Sequence, residues 1–98
     1  MVDEHLYIVT YDIADARRWR AVFKLMHGYG EWLQLSVFQC RLSRQRQVEL
    51  VARLTTTIAA GEDHVMVIDV GIVDDVRPRV QSIGKRAFAA ISREPVIV

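Results

Sequence analysis

Apolar residues change their spacing repeatedly along this chain, and each change marks a new element. Residues 5–13, "HLYIVTYDI", are rich in β-branched and aromatic side chains and bounded by polar ones, which predicts a mostly buried strand ending near Asp12. Over residues 14–30 the spacing becomes helical. Trp19, Val22, Phe23 and Met26 recur at i, i+3, i+4 and i+7, Asp15 is placed to cap the helix, and Gly28 or Gly30 ends it. Arg17, Arg20 and Lys24 recur at i, i+3 and i+7 on the other side, a basic ridge along the helix. In residues 32–43, "WLQLSVFQCRLS", the alternation switches phase: Leu33, Leu35 and Val37 share one side, Phe38, Cys40 and Leu42 the other. A period-two strand cannot do this without a bend, a bulge or a division into two, with Ser36-Val37-Phe38 at the switch. Residues 43–63 predict a second helix with Ser43 as N-cap, Val51, Leu54 and Ile58 inward, and Gly61 as the stop. Residues 64–71, "HVMVIDVG", form a continuous apolar run of the kind found in the middle of a sheet. "DDVRPRV" at 74–80 is a turn or short helix, and 95–98, "PVIV", a short C-terminal strand.

The order strand, helix, strand (bent or doubled), helix, strand is the ferredoxin-like βαββαβ pattern, an α+β sandwich with an antiparallel sheet. Both helices then cover one face of the sheet and leave the other open. Apolar positions on an open face of a small domain call for a partner, most simply a second copy in a homodimer. The strand at 95–98 is suited to pairing across that dimer or with another protein.

Composition narrows the function. A chain of 98 residues, 51% hydrophobic, forms one domain, 1–98. No apolar run is long enough to span a bilayer and no signal-peptide pattern opens the chain, so no membrane partner and a cytoplasmic location are expected. The single Cys40 excludes an internal disulfide and reads as a buried, inert thiol. The net charge of +1 conceals a segregation. Residues 16–53 hold eight Lys or Arg against two acids, a net +6, which is where an anionic partner would lie, although arginines also solvate helix faces that bind nothing.

Asp12 is the residue that needs explaining. A carboxylate just beyond a buried strand either caps the next helix, binds a cation, or is an ordinary polar strand end. Asp15 is the better cap, which leaves Asp12 freer. One carboxylate holds a hard divalent ion poorly; two copies of Asp12 brought together by a two-fold axis would offer Mg²⁺ two carboxylates. His5, His27 and His64 stand apart from one another and read as surface or capping residues. No nucleophile elbow, phosphate loop or dinucleotide fingerprint is present. The last core strand lacks aromatics, so binding of nucleic acid through its backbone fits better than base stacking.

The pair "YDI" at 11–13 and "LQLSVFQC" at 33–40, joined by an arginine-rich helix and a glycine turn, resembles the CRISPR-associated protein two family, the small subunit of the spacer-acquisition machinery. The resemblance implies a ferredoxin-like homodimer with Mg²⁺ shared between two copies of Asp12. It also implies metal-dependent endonuclease activity on single-stranded RNA or double-stranded DNA, and a bridging role between integrase subunits, CRISPR-associated protein one. Tyr11, Asp12, Arg18, Arg20 and Phe38 match positions tied to activity in that family, and Arg17, Arg18, Arg20 and Lys24 are the expected nucleic-acid contacts. Trp32 departs from the family, whose members often carry a basic residue there. The alternatives are a DNA-binding scaffold without catalysis and a ferredoxin-like small-molecule sensor.

Overall fold

The computed structural model describes residues 3–76 and 80–84, and the expected strand at 95–98 lies outside them. Six elements follow in order: β1 (Glu4–Asp12), α1 (Ala16–His27), β2 (Glu31–Gln34), β3 (Val37–Ser43), α2 (Arg44–Thr57) and β4 (His64–Ile72), then a 3-10 turn at Val73–Asp75. The four strands form one sheet in the order β2-β3-β1-β4, antiparallel throughout. This is the ferredoxin-like arrangement expected from the order of elements.

The phase switch in residues 32–43 resolves into two strands joined by a tight turn at Leu35-Ser36, where Leu35 takes a positive φ of 42°. The Trp32 indole N–H closes the hairpin by donating to the Leu35 carbonyl at 2.8 Å. Trp32 is buried among the core aromatics, so here the position is devoted to packing rather than to a charge. Tyr7, Val9 and Tyr11 from β1 and Phe38, Cys40 and Leu42 from β3 form the floor of the core. Val22 and Met26 of α1 and Leu50 and Leu54 of α2 close it from above. Burial pushes the Cys40 thiol up to about 12, which keeps it protonated and inert, as expected.

Three expectations need correction. Leu50, not Val51, points inward from α2; Val51 is 38% exposed, because the helix starts at Arg44 and its buried stripe runs through 50 and 54. That helix ends at Thr57 with Ile58 as its cap, ahead of Gly61, since the chain turns sharply to deliver Asp63. β4 is an edge strand among the described residues, and its apolar run is explained by an uncovered face rather than by a central place. Met66 is 47% and Ile68 44% exposed there.

Two glycines are required by geometry. Gly71 has φ +129° beside a register slip in the β1–β4 pairing, with the Asp69 carboxylate accepting from its N–H at 3.0 Å. At Gly30 the chain leaving α1 passes so close to β3 that a Cβ would collide with Cys40 Sγ and the Gln39 carbonyl. Gly30→Ala is therefore expected to lower the unfolding free energy by about 1–3 kcal/mol, read from urea denaturation, through overpacking against backbone that cannot yield.

A candidate metal and nucleic-acid site at the end of the first strand

β1 ends at Asp12 on the sheet face that the helices leave open. The register places Ile8 opposite Ile68, Thr10 opposite Met66 and Val37, and Asp12 opposite His64. Residues directly opposite share a face, so Asp12 borders an apolar patch made by Ile8, Val37, Met66 and Ile68. Its carboxylate is exposed and makes no hydrogen bond or ion pair among the described residues, and Asp15 caps α1 by accepting from the Arg18 backbone N–H at 3.0 Å. Asp12 is thus free of the capping duty considered for it.

The two motifs that carry the resemblance meet in space. The Tyr11 N–H donates to the Ser36 carbonyl at 3.1 Å, and the Ser36 hydroxyl accepts from the Trp19 indole at 3.1 Å. Tyr11 and Phe38 pack with ring centroids 6.3 Å apart, directly beneath the strand that presents Asp12. Phe38 is fully buried and Tyr11 nearly so, so both shape the strand end without facing solvent. The Tyr11 hydroxyl is buried and makes no well-formed hydrogen bond among the described residues; burial pushes it up to about 12, against a smaller opposing pull from the nearby Ser36 hydroxyl. It has no phenolate to offer as a base at neutral pH.

The arginines divide into two groups. Arg17, Arg20 and Lys24 are exposed along α1, as the ridge requires. Arg18 is turned the other way, its Nε donating to Asp63 Oδ2 at 2.7 Å and its Nη2 to Oδ1 at 3.3 Å. The Asp63 side chain is wholly inaccessible to solvent and also accepts from the Ala14 N–H at 2.9 Å and the Ala59 N–H at 2.8 Å. These bonds, the Arg18 guanidinium foremost, hold the Asp63 carboxyl well below the usual carboxylate range. Arg18 therefore braces the loop after Asp12, with only its edge reaching Glu62 at 3.4 Å. Asp63 carries no local signal of its role because the partners that give it one, Arg18 and Ala14, lie 45 and 49 residues away. His64 becomes the register partner of Asp12 through a strand pairing that no local pattern displays.

Among the described residues no three His, Cys, Asp or Glu side chains gather closely enough to hold a metal ion. One chain offers Asp12 and, across the strand pair, His64. An exposed, unpaired carboxylate suits a hard divalent cation, but as half of a site.

The family model for CRISPR associated protein Cas2 matches residues 5–76, which carry every element of this sheet and both helices. The chain belongs to the Cas2 family. It is 55% identical to the CRISPR-associated endoribonuclease Cas2 of Geobacter sulfurreducens over 97% of this chain and 99% of that one. It is 50% identical to CRISPR-associated endoribonuclease Cas2 1 of Rhodospirillum rubrum, over 97% and 92% respectively. The crystal structure of Streptococcus pyogenes Cas2 superposes with a TM-score of 0.70 at 31% identity, covering 81% of this chain and 99% of that one. In this Cas2 chain, the described residues include no helix long and apolar enough to cross a membrane.

Two outcomes follow for this Cas2 strand end. Asp63→Asn lowers the urea midpoint at pH 7, and the deficit shrinks below about pH 4, where the carboxyl of the unfolded chain takes up its proton and a depressed native pKa ceases to stabilise. A deficit equal at pH 7 and pH 2 contradicts the ion-pair account. Tyr11→Phe removes a buried hydroxyl that makes no well-formed hydrogen bond among the described residues, so urea denaturation should place it within about 0.5 kcal/mol of the unaltered protein or above it.

Proposed function

We propose that this chain acts in CRISPR spacer acquisition as a homodimer that holds nucleic acid and bridges integrase subunits, and that the dimer hydrolyses phosphodiester bonds in RNA or duplex DNA with Mg²⁺. The observation that carries this reading is Asp12, an exposed carboxylate that, among the described residues, is unpaired and borders an uncovered apolar sheet face. Pairing two copies through Ile8, Val37, Met66 and Ile68 removes those side chains from water and brings the Asp12 ends toward a common axis. Family membership supports it, as do the names of the relatives, which are endoribonucleases.

Asp12 of each protomer would hold the Mg²⁺, which when bound supplies a more acidic water and charge neutralisation at the phosphate. The remaining work belongs to this chain's own groups. Arg20 and Arg17, exposed on the first turns of α1, orient the phosphate backbone. Arg18 acts through Asp63, fixing the turn that carries Asp12, and is a positioning residue here. Tyr11 and Phe38 stiffen the strand end from beneath. A scaffold without catalysis would use the same dimer and the same arginines and would not need the two copies of Asp12 to share an ion.

The nuclease reading predicts that Asp12→Asn lowers Mg²⁺-dependent cleavage of labelled RNA and duplex DNA by about 100-fold or more, with dimer and fold intact. Unchanged cutting removes Asp12 from the chemistry. Ile68→Glu should convert the dimer to a monomer in sedimentation and abolish cleavage with it, while the circular dichroism of the helices is retained. A dimer that survives the substitution contradicts pairing through this face.

A further inference from the structure

On the side of the molecule away from Asp12's open face, α1 and α2 leave a groove of about 490 Å³ between them. Its walls carry Lys24 from α1 and Arg46 and Arg53 from α2, with Gly28, Tyr29 and Glu49 also in the lining. The single carboxylate is already engaged: Glu49 accepts from the Tyr29 hydroxyl and from Arg46. The Tyr29 hydroxyl first, and then Arg46 and Arg53, hold its carboxyl below the usual range. Arg46 is fixed in turn, its guanidinium carbon 4.2 Å from the Tyr29 ring centre and its Nη2 donating to the Gly28 carbonyl at 3.2 Å. Lys24 and Arg53 pair with no carboxylate among the described residues. The groove therefore carries about two uncompensated positive charges on a floor rigidified by Tyr29, Arg46 and Glu49.

Position gives those charges a direction. Lys24 is the last member of the ridge Arg17, Arg20 and Lys24, and Arg17 stands five residues after Asp12. The helix that carries the ridge has 12 residues, a length of about 18 Å. The cations thus form a continuous track from the Asp12 end to the groove. From Arg17 to Lys24 the helix rises about 10 Å, and phosphates recur every 3.4 Å or so along one strand of a duplex, so the ridge spans about three of them.

We infer that the α1–α2 groove is a second, non-catalytic seat for the phosphodiester backbone of a nucleic acid, with Lys24 and Arg53 as its contacts and Arg46 as their fixed neighbour. This rests on the proposal that the protein binds nucleic acid, and adds where a strand is held apart from the metal site. A continuous track of cations that pair with no carboxylate among the described residues fits a polyanion of regular spacing, and the small residues Ala21 and Gly28 at the lining leave room for a backbone to approach.

The test is fluorescence anisotropy of a labelled 20-base-pair duplex and a labelled 20-nucleotide RNA, with the unaltered protein in EDTA so that cleavage does not interfere, across a series of salt concentrations. Arg53→Glu should weaken binding to both probes and lower the slope of log affinity against log salt by about 1 for each groove engaged. Arg53→Gln should shift the slope in the same direction by a smaller amount in affinity. Arg44→Glu, with the same charge change on the exposed start of the same helix but outside the groove, should stay close to the unaltered protein. Equal effects of Arg53→Glu and Arg44→Glu, or none from either Arg53 variant, overturn the groove while leaving the proposed function standing. No binding of either probe by the unaltered protein overturns both.

Discussion

The buried carboxylate of Asp63 is the point from which the functional end of this fold is held. It takes hydrogen bonds from the loop that follows β1, from the turn just past α2 and from the Arg18 guanidinium in the first turn of α1. A carboxylate so far from water would be expensive if any of these were missing, so the three segments are fixed together or not at all. Ala14, one of its donors, is two residues past Asp12. Asp63 thereby decides where β1 stops and how Asp12 is presented.

Ser36 does the same from the other side of the strand end. It ties the β2–β3 turn to Tyr11 by its carbonyl and to Trp19 by its hydroxyl. The aromatic packing of Tyr11, Trp19, Phe23 and Phe38 fills the space between. Among the described residues Asp12 itself has no polar partner, which is unusual for the residue around which so much else is arranged. A rigid frame holding a free carboxylate at the rim of an apolar face is suited to a site completed by a second copy.

Local chemistry made much of the fold legible. Period-two and helical spacings locate β1 and α1, Asp15 and Ser43 read as caps, and the phase switch around Ser36 marks the place where the run breaks, though it leaves a bend, a bulge and a pair of strands equally open. Asp12 and the exposed ridge of Arg17, Arg20 and Lys24 were legible for the same reason: their exposure follows from position along one element. What escaped depends on contacts between distant segments. Arg18 sits among three other basic residues of one helix, and nothing local separates the one that turns inward to Asp63. Val51 and Leu50 are neighbours of equal hydrophobicity, and only the packing of α2 on the sheet chooses between them. The edge place of β4 likewise needs the strand order, because an apolar run reads alike whether buried by helices or left for another chain.

The central claim is that each chain supplies half of a metal site through Asp12. The most direct measurement is the stoichiometry and Asp12 dependence of Mn²⁺ binding, followed by electron paramagnetic resonance at increasing protein. The account predicts one tightly bound ion for every two chains, lost in Asp12→Asn. One ion per chain, or binding that survives loss of Asp12, would contradict it.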